Sequence, residues 1–142
     1  MPQTIALTTI VVADYDAAIG FYRDKLGFVL VEDTPLEAGK RWVVVAPAGA
    51  SGGLLLARAV SDHQASRVGD QTGGRVGFFL ETDDFARDHA RFTQAGVTFV
   101  RPPKREPYGT VAVFQDLYGN LWDLIEPARP PGRPLDFGPP QP

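Results

Sequence analysis

Residues 9–31 and 78–100 carry one pattern twice, at a spacing of 69 residues, and this repeat limits the possible folds of the 142-residue chain more than any other feature. Each copy reads as an apolar strand, then an Asp able to accept the free N–H groups of a helix start. About three helical turns follow, then a Gly suited to the left-handed C-terminal position, then a strand of β-branched and aromatic residues. The two Asp residues are Asp14 and Asp83, and the two glycines are Gly27 and Gly96. A duplicated supersecondary unit of this kind places the functional site between its copies.

Extending the reading predicts strands over Thr4 to Ala13, Phe28 to Glu32, Arg41 to Ala46 and Gly53 to Ala57, with a helix from Asp14 to Leu26. Ala18, Phe21, Tyr22 and Leu26 fall on one face of that helix, which marks Phe21 and Tyr22 as core residues. The second half predicts strands over Arg75 to Glu81, Val97 to Arg101, Thr110 to Gln115 and Asn120 to Glu126, with a helix from Asp83 to Ala95. The class is therefore α+β, with two βαβββ modules. Module one spans 4–58, a polar, Gly-rich connection 59–74, and module two 75–127, so that residues 1–127 form one domain. Seven of the thirteen prolines lie between Pro127 and Pro142, so 128–142 reads as a Pro-rich tail of polyproline character. Leu135 and Phe137 are the side chains that could hold this tail on its own domain or within a dimer.

Charge and composition exclude several functions. A net charge of −3 supplies no basic face for nucleic acid. There is no apolar run of transmembrane length and no basic segment ahead of an apolar core, so neither a membrane span nor a secretory signal is expected. The absence of cysteine removes disulfides, thiolate catalysis and Cys-rich metal centres, and suits a cytoplasmic location.

Three groups of residues carry a family resemblance: Val12-Ala13-Asp14 with Phe21-Tyr22 and Leu26-Gly27-Phe28; Asp83 with Gly96-Val97; and Phe114-Gln115-Asp116-Leu117-Tyr118-Gly119-Asn120-Leu121-Trp122-Asp123-Leu124-Ile125-Glu126. In these the chain resembles the vicinal oxygen chelate superfamily, which includes glyoxalase I, extradiol dioxygenases, fosfomycin-resistance enzymes and bleomycin-resistance proteins. The Asp116 to Asn120 turn is the most specific element, with Asp116 as turn former and Gly119 at a positive φ. The resemblance implies two curved sheets forming an open, cup-like mixed sheet around a ligand, with the helices outside, and a symmetric homodimer. In metal-dependent members it places His, Gln or Glu ligands on the first, fourth, fifth and eighth strands. Those positions here are Leu7, one of Leu54 to Leu56, Val76 and Asp123, so only Asp123 can donate to a metal, and none is expected. His63 reads as a solvated connection residue and His89 as a packed helix residue.

Strand alternation then places Leu7, Thr9, Val11, Phe78 and Leu80 on the inner face of the cup. Pairing the last hairpin across Asp116 to Gly119 sets Phe114 opposite Leu121 and Ala112 opposite Asp123, so that Thr110, Ala112, Phe114, Leu121 and Asp123 also face inward. Arg41, Trp42, Glu81, Glu106 and Tyr108 fall at the rim. The expected ligand-binding set is thus Thr9, Phe78, Leu80, Ala112, Phe114, Leu121 and Asp123, with Asp123 the only inward carboxylate. The expected function is metal-independent binding of a small molecule, without cofactor, nucleic acid or membrane as partner. Two alternatives stay open: a glyoxalase- or dioxygenase-like enzyme, and a metal-free enzyme with Asp123 as general base.

Overall fold

A computed structural model describes residues 2–128. The Pro-rich tail, with Leu135 and Phe137, lies outside the described residues. Module one consists of β1 (Leu7–Val12), α1 (Tyr15–Ile19) continuing as a π-helix (Gly20–Lys25), β2 (Val29–Pro35), a short 3₁₀ turn (Glu37–Gly39), β3 (Arg41–Ala46) and β4 (Gly53–Arg58). The connection contains one helical turn, α2 (Asp62–Ala65), which its polar sequence did not announce. Module two consists of β5 (Val76–Glu81), α3 (Phe85–Gln94), β6 (Phe99–Glu106), β7 (Gly109–Gln115) and β8 (Leu121–Pro127). The sheets have equivalent orders, β1-β4-β3-β2 and β5-β8-β7-β6, with the first and last strands of each module parallel. This is the α+β architecture of two βαβββ modules expected from the repeat.

The two helices end alike and start differently. Gly27 (φ +77°) and Gly96 (φ +90°) both take the left-handed conformation that L side chains resist. Asp14 caps the first helix, its Oδ2 accepting from Ala17 N at 2.7 Å. The cap of the second is Asp84, not Asp83: Asp84 Oδ1 accepts from Arg87 N at 3.0 Å, while Asp83 pairs with Arg87 on the surface. The first helix must therefore fit one more residue between cap and glycine. It does so by widening to a π-helix, where Leu26 N donates to Phe21 O at 3.2 Å, five residues back.

A single apolar core runs through both modules. Ile10, Val12, Val43, Val45 and Leu56 enter it from the first sheet, and Phe114, Trp122 and Leu124 from the second. Ala18, Phe21, Tyr22 and Leu26 cover the first sheet, and Phe85 and Phe92 the second. At the junction Trp122 packs against Tyr22 and Phe28 of module one, at ring-centroid distances of 5.8 and 6.2 Å, and against Phe78 and Phe114 of module two, at 4.8 and 5.8 Å. β6 runs longer than expected, through Pro102 and Pro103. As the outermost strand of its sheet it can lack ladder donors on its free side, and its register shifts around these prolines.

Two facing assignments are corrected by strand geometry. The last hairpin closes with Asp116 N donating to Asn120 O at 2.9 Å, so Asn120 belongs to the turn and Gln115 pairs with Leu121. Phe114 then lies opposite Trp122, Ala112 opposite Leu124 and Val113 opposite Asp123. A one-residue change of register exchanges the two faces, so Ala112 and Phe114 are core residues, 1% and 0% exposed. On β5 a bulge between Val76 and Phe78 reverses the alternation. Phe78 and Leu80 therefore pack against the core, while Phe79, opposite Asp123, is 66% exposed on the open face.

Candidate functional site

Each module turns its helices to the core and leaves the other sheet face open. On module one, β1 and β4 pair Thr9 with Leu55 and Val11 with Ala57, and these side chains share the open face with Trp42 of β3. They line a cavity of about 610 Å³. Its rim is formed by Tyr15, the 37–40 turn, Arg41, Arg58 and Gln64. On module two, Val111, Val113 and Asp123 line a cavity of about 440 Å³ with Arg101, Glu106 and Tyr108. Neither cavity takes a lining residue from the other module. A larger hollow of about 980 Å³ lies beside the helices, where Arg87 is paired with Asp83 and Asp88.

Thr9 and Asp123 thus lie on open faces as expected, and Leu121 shares a face with Asp123 by alternation. Phe78, Leu80, Ala112 and Phe114 do not. Residues that sequence reasoning missed are Phe79, Val113, Arg58 and Gln71. Gln71 fastens the connection to the free edge of β1: its Oε1 accepts from Val11 N at 2.9 Å and its Nε2 donates to Thr9 O at 2.5 Å. Beside it, a Cβ added to Gly69 (φ +78°) would fall 1.9 Å from Tyr118 O. Only glycine lets the connection pass so close to the Asp116 turn.

Glu106 lines the same cavity as Asp123, so Asp123 is not its only carboxylate. Glu106 is paired with Lys104 at 3.1 Å. Burial raises the Asp123 carboxyl above its ordinary value, and the nearby Arg101 guanidinium opposes the shift. The stability consequence has a definite sign. Well below pH 3.8, folded and unfolded chains both hold the proton, and the group contributes nothing. As pH rises the unfolded chain ionises first, so the folded state loses stability until it too has ionised, and the deficit then persists. Asp123→Asn is accordingly expected to raise the denaturation midpoint at pH 7 and to leave it unchanged at pH 3. The gain should be small, because much of the carboxyl still meets solvent.

Among the expected metal-ligand positions, Leu7 and Leu55 lie on the open face of module one, and Val76 pairs with Leu121 on that of module two. No group of three or more His, Asp or Glu able to hold a metal occurs among the described residues. His63 is exposed on α2, and His89 stacks on Phe85 at 5.5 Å and meets Phe99 in a tilted contact at 4.3 Å. No described helix is long and apolar enough to cross a membrane.

Comparison with known proteins agrees with this architecture. The chain is 57% identical over 128 residues to an uncharacterised protein of Shewanella frigidimarina, covering 89% of this chain and 95% of the relative. It is 32% identical over 126 residues to the uncharacterised YurT of Bacillus subtilis, covering 86% and 98%. Among solved structures, TnmS3, an antibiotic binding protein from Streptomyces sp. CB03234, is 34% identical with a TM-score of 0.74, over 89% of this chain and 98% of that one. UcmS2 is 32% identical with a TM-score of 0.78, over 89% and 99%. The family model for the Glyoxalase/Bleomycin resistance protein/Dioxygenase superfamily matches residues 4–124, and with the two βαβββ modules in place the chain belongs to that superfamily.

Proposed function

We propose that the protein is a metal-independent binder of a small organic molecule, held against the apolar open faces, with Asp123 as a polar anchor. The observation that carries this reading is the chemistry at the four metal-ligand positions. Leucine and valine at three of them cannot offset the cost of dehydrating a divalent ion, and one Asp cannot hold it. The likeness to an antibiotic-binding protein supports the same class of activity. Neither of the two open-face cavities takes a residue from the other module, so a second copy of the chain would complete them, with module one of one subunit facing module two of the other. The working unit is then a homodimer in the cytoplasm.

The burial-raised carboxyl of Asp123 favours one second reading, a metal-free enzyme in which this group acts as general base. The binding reading is tested with the neutral, apolar fluorophore N-phenyl-1-naphthylamine. Saturable binding is expected of protein stripped of metal by EDTA and then freed of the chelator, unchanged by added Zn or Ni, with Trp42→Ala weakening it several-fold because the indole supplies the largest exposed ring of its face. Light scattering should give a dimer. A protein that binds this probe only after metal is added, or not at all, contradicts the reading.

A further inference from the structure

The mouth of the module-one cavity sets a positive charge that no described residue pairs beside an exposed aromatic surface. Arg41 and Arg58 both lie over the ring of Tyr15, their Cζ atoms 5.1 and 5.4 Å from its centroid. Their partners differ completely. Arg41 is saturated: its Nε and one terminal nitrogen donate to Asp33 at 3.0 and 2.6 Å, and its other terminal nitrogen lies 3.0 Å from Asp16. Those carboxylates hold Arg41 charged above the ordinary range, and Arg41 in turn lowers the Asp33 pKa.

Arg58 makes no ion pair with any described residue. It is half-buried at the end of β4, with its guanidinium near Gly39 in the turn that rims the cavity. Lys40 lines the same mouth and likewise makes no ion pair with a described residue, and Glu37 is the one acid among the described lining residues. Inside the mouth lie Trp42, Leu55 and Val11, so cation and ring surface are presented together.

We propose that module one recognises a planar aromatic ligand bearing an anionic group, a carboxylate, sulfonate or acidic phenol. Arg58 receives the anion in a forked hydrogen bond and Trp42 covers the ring. The inference rests on the binding reading above and adds to it the chemical class of the ligand and the end of the cup that holds its charge. The acid group is assigned to module one because the module-two cavity is lined by Asp123 and Glu106, which would repel it.

Two probes of closely similar ring structure separate the claims. 1-Anilinonaphthalene-8-sulfonate carries the anion, and N-phenyl-1-naphthylamine lacks it. In fluorescence titrations of the full chain the sulfonate is expected to bind the more tightly. Arg58→Gln should weaken the sulfonate about tenfold, the loss of one charged hydrogen-bonding partner, and the neutral probe less than about twofold. Arg58→Lys, which keeps the charge but not the fork, should restore only part of the preference, a partial rescue that a fold defect would not allow. If the neutral probe binds but the sulfonate is no tighter, or Arg58→Gln affects both alike or neither, the inference is overturned while the binding reading stands. If the neutral probe does not bind, the binding reading itself fails, and this inference with it.

Discussion

Asp116→Ala is expected to lower the unfolding free energy by about 3–5 kcal/mol, because one buried carboxylate satisfies five donors. Asp116 is 4% exposed. Its Oδ1 accepts from the backbone N–H groups of Tyr118, Gly119 and Asn120 at 3.1, 3.1 and 2.9 Å. Its Oδ2 accepts from the Tyr22 hydroxyl at 2.6 Å and the Asn120 side chain at 2.9 Å. The first three bonds fix the hairpin turn, and the bond to Tyr22 ties that turn to the helix of the other module. Burial, with Asp116 alongside, pushes the Tyr22 hydroxyl well above its ordinary pKa, so it remains a donor throughout the working pH range. Tyr22→Phe removes one of the five bonds and keeps the ring, so it should cost about 1–2 kcal/mol. Urea denaturation with an unchanged slope measures both. A loss below about 1 kcal/mol for Asp116→Ala would mean that the turn does not depend on its carboxylate.

Trp122→Ala is expected to cost about 3–5 kcal/mol, the usual range for deleting a large buried aromatic side chain. Trp122 is 4% exposed and meets two rings from each module, so the cavity would open at their junction. Because the core is continuous, thermal unfolding should remain a single transition at a lower midpoint. Two separate transitions in the variant would show instead that the modules hold together without this contact.

The order of elements was legible because each boundary carries its own local chemistry: an Asp that caps, a Gly with positive φ, a run of β-branched residues. Arg41 to Ala46 was bounded correctly for that reason. The facing of residues on β5 and β7 was not, since it depends on one residue more or less at a turn or bulge. The turn after β7 takes in Asn120 only because the Asn120 N–H and side chain are both claimed by Asp116. Gly77 inside an otherwise β-branched and aromatic strand was the available sign of a bulge, and following it would have placed Phe79 rather than Phe78 on the open face. Asp84 as helix cap was hidden by the adjacent Asp83, which a gapless alignment prefers. Arg58 had no signal of its own, because a missing partner is a property of the folded surface.

Metal titration is the most direct test of the claim that the open faces form a site without a metal centre. Isothermal titration of chelator-treated protein with Ni, Zn, Mn and Fe(II), in separate runs, should give no saturable binding at micromolar concentration, and the neutral probe should bind the metal-free chain fully. Stoichiometric uptake of any of these ions at micromolar affinity, abolished by Asp123→Ala, would contradict the account and return the chain to the metal-dependent side of its superfamily.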